Sequence, residues 1–248
     1  MINIIENPTK AISAHLREPK MEAIFAYYKA LFRVNFRCLD FELSPVNFSE
    51  YAKFLYQMKR QKMDTQISVK ITESELLDEF LAADFWDYWL IELNPATFKA
   101  QKSIFNQLFS IDKSLINRVV LQIPLDFFVK EIERLFSEIS KLKITKIRIT
   151  ETEQEVDFFT FEKMLQLIEI HNFEYSFQLN SHHKNWAEKW GQLYAHGARN
   201  FVTCLHGLQG GIPTERIISF ALAHQEEMRL NSLAFEYAYN VALQLFQR

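Results

Sequence analysis

The sequence predicts an α/β fold, a (β/α)8 TIM barrel with an extra C-terminal helix. Three observations carry this. Eight short apolar runs alternate with helical patterns along the chain. Each run carries polar residues on every second position, and alternate strand residues share a face. The length, 248 residues, matches the ~250 typical of an eight-fold strand–helix barrel. The competing architecture is an open doubly wound sheet, whose central strands are apolar on both faces. Repeated polar positions argue instead for a closed barrel, apolar towards its helices and polar inside.

The predicted strands are Ile12–Glu18, Asn35–Leu43, Gln66–Thr72, Trp89–Asn94, Arg118–Pro124, Thr145–Thr150, Glu174–His182 and Arg199–His206. Helices follow at Lys20–Arg33, Ser49–Gln61, Ser74–Ala83, Ala96–Phe109, Leu125–Leu142, Val156–His171, Lys184–His196 and Pro213–His224, with a last one at Glu226–Phe246. In the first, Met21, Ile24, Phe25, Tyr28, Leu31 and Phe32 form a 3.6-residue stripe. Ser49 is placed to cap the second, with Phe48 stapled onto it. Gly197 suits a helix C-terminus and Pro213 a first helical turn. No Pro/Ser-rich linker or repeat divides the chain, so residues 1–248 are expected to form one domain.

A composition of 48% hydrophobic and 24% charged residues is ordinary for a globular protein. The net charge of −3 gives no bulk attraction to nucleic acid or anionic lipid. Cys38 and Cys204 have no paired spacing, which fits a reducing compartment. There is no 18-residue apolar span and no basic-then-apolar leader pattern, so a cytoplasmic protein without membrane or nucleic-acid partners is expected.

Barrel sites lie at the C-terminal strand ends. The candidates there are His15, Arg17 and Glu18; Asp40 and Glu42; Lys70; Glu92 and Asn94; Arg148, Thr150 and Glu151; Asn180, His182 and His183; Cys204 and His206. Cations and carboxylates confined together must pair or shift their pKa values. A buried ion-pair lattice of Asp40, Arg148, Glu92 and Lys70 therefore competes with a ligand site. Lys70 admits a Schiff-base role, but nothing beside it is specific to one, and a salt bridge to Asp40 or Glu92 is the plainer reading. The Gly207–Gly211 loop lies where barrels bind phosphate through backbone amides; the alternative is a tight turn that needs glycine. Cys204 and His206 share a strand face without a third residue to complete a triad.

Ile12-Ser13-Ala14-His15-Leu16-Arg17-Glu18 and Leu39-Asp40-Phe41-Glu42 resemble the first two strands of the DRE-TIM metallolyases, whose first strand reads Asp-Thr-Thr-Leu-Arg-Asp/Glu. The superfamily includes HMG-CoA lyase, isopropylmalate and homocitrate synthases and the pyruvate carboxyltransferase domain. Gly197-Ala198, Thr203 and Gly207-Leu208-Gln209-Gly210-Gly211-Ile212-Pro213-Thr214-Glu215 are similar to its stretch after strands seven and eight. Thr150-Glu151-Thr152 resembles its Asp-Thr-x-Gly after strand six. The resemblance implies that Arg17 stabilises an enolate, a role suited to a fixed guanidinium, and that Glu18 fills the acidic position.

The departures concern the metal that the resemblance implies. Its Asp falls on Ser13, and its His-x-His falls on Asn180-Ser181-His182 or Gln178-Leu179-Asn180. Its Asn after strand eight is missing. At best one His of the set remains, whereas hard octahedral sites need several oxygen or imidazole ligands. No metal and no cofactor are therefore expected.

Two functions follow. One is a divergent barrel without the metal site that binds a small carboxylic acid or acyl thioester, or a protein partner. The other is an active C–C lyase or condensing enzyme on a short 2-oxo or 3-hydroxy acid or thioester. Arg17, Glu18, Lys70, Glu151 and His182 are the catalytic candidates. His15, Arg148, Asn180, His206, Gly210 and Gly211 are the binding candidates. Phosphate-ester chemistry at Gly207–Gly211 is a distant third. The last helix, with Leu233, Phe235, Tyr237 and Val241, is placed to cap the barrel or to form a subunit contact.

Overall fold

The computed structural model describes residues 1–9, 12, 20–61, 63–71, 73, 76–93, 105–106, 113–125 and 129–246. The strands are β1 Asn3–Glu6, β2 Cys38–Leu43, β3 Gln66–Ile71, β4 Tyr88–Glu92, β5 Val119–Pro124, β6 Lys146–Thr150, β7 Glu174–Gln178, β8 Asn200–Cys204 and the two-residue β9 Ile212–Pro213. They follow one another in chain order in one sheet, and β1 also pairs with β8. This is the closed parallel order of a (β/α)8 barrel. The helices are α1 Met21–Val34, α2 Phe48–Arg60, α3 Leu77–Ala82, α4 Val129–Lys141, α5 Phe158–His171, α6 Trp186–Ala195, α7 Thr214–Ala223 and the extra α8 Ser232–Phe246. The predicted Ala96–Phe109 helix falls almost wholly outside the described residues.

The chain divides into two compact units, Met1–Tyr88 with Asn200–Arg248, and Trp89–Arg199. In the first, α1 lays Ile24, Tyr27, Tyr28 and Leu31 on the sheet as one buried stripe. Tyr28 meets Phe41 of β2 edge-on at 5.1 Å, and its hydroxyl lies 3.0 Å from that of Tyr51 on α2. Phe41 therefore faces the helices, and so do Leu39 and Leu43 by alternation. The extra helix α8 packs against α1 with Ala238 and Ala242 buried, and Phe246 stands edge-on to Tyr27. Its Leu233 and Tyr237 are exposed.

In the second unit, α5 is capped by Asp157, whose carboxylate accepts from the Thr160 amide (2.9 Å) and hydroxyl (2.8 Å). These bonds hold the Asp157 carboxyl below its ordinary value. Phe161 of α5 meets Phe177 of β7, so Phe177, with Ile149 in register beside it, faces the helices.

Both units spend asparagine where many chains spend glycine. Asn35 and Asn172 end α1 and α5 in the left-handed region, at φ 65° and 54°, a conformation asparagine tolerates.

The first strand is not where the alternation puts it. Asn3–Glu6 pairs with β2 and β8, while Ile12 is helical and buried. Ile12–Glu18 has the period-two pattern, but a strand covered on both faces need not alternate. Ile4, Ile5 and Glu6 are all buried. Two further strands end early: β7 stops at Gln178 and β8 at Cys204. Ser49 lies inside α2, and its N-cap position is Asn47, whose side-chain oxygen accepts from the Ser44 amide instead. Pro213 flanks α7 rather than opening it.

Candidate functional site

Register decides which side chains share the inner face. In the first unit, Asp40 stands beside Ser68 and Glu42 beside Lys70 across β2 and β3. All four alternate with the helix-facing Leu39, Phe41, Ile67 and Val69, so they point inward. Asp40 and Ser68 are buried, Lys70 is half-buried and Glu42 is exposed. Ile5, Cys38 and Val202 form a small apolar cluster with Tyr88 packed on it. The inner face is therefore apolar at that level and polar only nearer the C-terminal strand ends.

In the second unit, two inner rows cross β5, β6 and β7: Gln122, Arg148, Ser176, and one step on, Pro124, Thr150, Gln178. Arg148 is 2% exposed and is flanked in register by an amide and a hydroxyl. The Thr150 hydroxyl is buried and has no hydrogen-bond partner among the described residues. A guanidinium offers five donors in a rigid fork, the geometry that suits a carboxylate.

Glu151 follows directly after β6 and is enclosed. One oxygen meets Lys189 Nζ of α6 at 2.6 Å and the Val156 amide at 3.5 Å, and the other accepts from the Asn180 amide at 3.0 Å. His183 Nδ1 lies 3.1 Å from the same carboxylate, off the line of a hydrogen bond, while its Nε2 meets the Glu153 carbonyl at 3.0 Å. Lys189 is itself buried and also reaches Glu155 at 3.5 Å. Asn180 donates to the Thr152 carbonyl (3.0 Å) and accepts from the His182 amide (3.1 Å). Glu151 and Asn180 thus tie the turn after β6 to the turn after β7. His182 is exposed.

Several candidates land where sequence did not place them. Asn180, His182 and His206 lie in turns, not on strands. His206 and Gln209 hold φ of 63° and 53° within a tight turn over Leu205–Gly210. The His206 ring lies against Tyr239 at 4.2 Å. Gly210 is buried at φ 74°. A Cβ on Gly211 would sit 2.6 Å from Cys204 Cβ, so this glycine permits a close approach of turn and strand. Two amides of the turn are taken by the chain's own carboxylates: Leu205 donates to Glu6 at 2.8 Å and His206 to Glu215 at 3.2 Å. This favours the tight-turn reading over a phosphate cradle. Arg17, Glu18, His15, Ser13 and Asn94 lie outside the described residues. Glu92 ends β4 in register with Gln122.

Glu6, Lys189 and His183 matter to the structure more than the strand-end reading indicated. Lys189 had a signal: it interrupts the stripe Trp186, Trp190, Leu193 at helical spacing, so its ammonium is carried inside. Glu6 ends a four-residue strand too short to read by period. It stands in register with Leu39 and Thr203, and therefore faces the helices rather than the interior. There its carboxyl lies within hydrogen-bond distance of the Thr203 (3.1 Å) and Thr214 (2.5 Å) hydroxyls and accepts from the Leu205 amide.

The donors after β7 do not fit a hard divalent ion, because the side chain of Asn180 is spent on backbone groups and His182 turns to solvent. Among the described residues no group of three or more His, Cys, Asp or Glu is arranged to hold a metal. Cys38 and Cys204 are buried thiols. No described helix is long and apolar enough to cross a membrane.

No family model matches the sequence, and no curated protein matches it. Solved structures do. An HMG-CoA lyase from Acinetobacter baumannii, in complex with coenzyme A and 3-methylmalate, superposes with a TM-score of 0.83 at 13% identity, covering 100% of this chain and 92% of that one. The Bacillus subtilis HMG-CoA lyase gives 0.81 at 11%, covering 100% and 94%. A truncated 3-deoxy-D-arabino-heptulosonate 7-phosphate synthase from Thermotoga maritima gives 0.56 at 14%, covering 96% and 88%. At such identities the likeness is one of fold: this chain folds as the HMG-CoA lyases fold.

Proposed function

We propose that this chain is a divergent HMG-CoA-lyase-like barrel that binds a small carboxylic acid, free or as an acyl thioester, without the metal site that the resemblance implies. The observation that carries this reading is the inner row Gln122–Arg148–Ser176. It sets a buried guanidinium between two neutral hydrogen-bonding groups, with the unsatisfied Thr150 hydroxyl one step further along. A buried polar group without a partner is costly, and a ligand oxygen relieves that cost.

The lyase bound to 3-methylmalate and coenzyme A supports the choice of ligand class. The spent side chain of Asn180 and the outward His182 support the absence of a metal there. Arg17 and Glu18 belong to this proposal only through the resemblance, which implies a role for them towards the acid.

The test is calorimetric titration of the protein with 3-methylmalate. Arg148→Lys keeps the charge and loses the fork, and it is expected to weaken binding by about tenfold or more, since charge-assisted bonds to a fork contribute about 1.5–3 kcal/mol. Unchanged affinity in Arg148→Lys would overturn the assignment.

A further inference from the structure

The carboxyl of Glu6 and the hydroxyls of Thr203 and Thr214 make three oxygen–oxygen contacts that close on themselves. Thr214 Oγ1 lies 2.5 Å from Glu6 Oε2, Thr203 Oγ1 lies 3.1 Å from the same oxygen, and the two threonine hydroxyls are 2.8 Å apart. Three such contacts need three hydrogens. The two hydroxyls supply one each. With Glu6 ionised, one contact is left as two oxygens facing each other without a proton. With Glu6 protonated, the acid donates to Thr214, Thr214 donates to Thr203, and Thr203 donates back, so every contact is satisfied. The second carboxyl oxygen, Oε1, is taken by the Leu205 amide at 2.8 Å.

The surroundings agree with the count. Glu6 is fully enclosed. Among the described residues, the titratable groups facing it are Tyr27 from α1 and Glu215 from α7, and neither brings a positive charge. Tyr27 is buried, and its hydroxyl has no hydrogen-bond partner among the described residues. Burial is the largest influence on the Glu6 carboxyl and raises it to about 7; the nearby Glu215 adds to this, and the bonds from Thr214, Leu205 and Thr203 oppose it.

We propose that Glu6 is a neutral carboxylic acid whose proton closes a ring with Thr214 and Thr203, and that losing this proton loosens the junction of β1, β8, the Leu205–Gly210 turn and α7. The ring joins parts of the chain that are far apart in sequence, at the base of a turn whose His206 and Gln209 hold left-handed backbone. Such strain persists only where surrounding bonds over-determine it. The proton is one of those bonds. The turn is therefore tightest in mild acid and looser at neutral pH and above.

Native-state hydrogen exchange on the full chain, corrected for the intrinsic rate, tests this at the amides of residues 205–211. Between pH 5 and 7 the opening equilibrium is expected to rise about tenfold per pH unit and then level off. In Glu6→Gln, whose amide is a permanent donor, it is expected to stay flat. Identical pH dependence in the two proteins would overturn the proposal. Infrared spectroscopy of the wild type gives a reading that does not depend on the variant folding. A protonated-carboxyl band is expected at pH 6.5, fading as the pH rises through 7, and its absence at pH 6.5 would overturn the proposal equally.

Discussion

Lys189 shows how a single charged side chain is held inside this protein. Its ammonium lies 2.6 Å from an enclosed carboxylate, with a second carboxylate at 3.5 Å. Removing one partner of a buried pair leaves the other uncompensated, at a cost of about 3–5 kcal/mol. Lys189→Met is therefore expected to lower the melting temperature sharply. Adding Glu151→Gln should recover part of the loss, read by calorimetry; additive losses would show that the two residues are not coupled. Glu6 acts on stability through pH. Below about 4.5, its ordinary value, both folded and unfolded chains carry the proton, and between 4.5 and about 7 only the folded chain does. Stability must then fall as the pH rises across that window, by about 3 kcal/mol from this group, and the fall should be missing in Glu6→Gln. The two residues differ in legibility. The place of Lys189 in an apolar stripe can be read from spacing, whereas nothing within Asn3–Glu6 reveals that a threonine about two hundred residues away completes its site.

Among the elements, the strands with clear alternation were legible to within a few residues: Gln66–Ile71, Val119–Pro124 and Lys146–Thr150 agree closely with expectation. Misreading arose where the physics does not produce alternation. Strand β1 is short and buried on both faces, so no alternation marks it. Strands β7 and β8 end where turns begin, and the polar residues beyond them prolong the pattern without prolonging the pairing. The turn after β8 was legible as glycine-dependent but not in its purpose. Gly211→Ala puts a Cβ within 2.6 Å of Cys204 Cβ, and overpacking of this kind costs about 1–3 kcal/mol. The expected result is a lower melting temperature without loss of secondary structure by circular dichroism. A neutral Gly211→Ala would mean that the turn has room the geometry denies. Helix α8 extends the fold by laying its alanine face, Ala238 and Ala242, on α1.

At the scale of the molecule, the barrel was legible because its two demands appear in the sequence directly: a repeated strand–helix rhythm, and polar residues on the strand face turned from the helices. What binds there was less legible, because the inner face is assembled by register between strands distant in sequence. Arg148 between Gln122 and Ser176 is visible only once β5, β6 and β7 are aligned. The fold is shared with HMG-CoA lyases, and fold alone does not fix chemistry. The proposed function has the barrel bind a small acid through its own side chains, with no metal required. Calorimetric titration with 3-methylmalate after exhaustive treatment with EDTA, repeated with magnesium or manganese restored, tests it most directly. Saturable binding in EDTA is expected, with an affinity the metals do not change. Binding that appears only when a divalent ion is restored, or no binding in either condition, would contradict it.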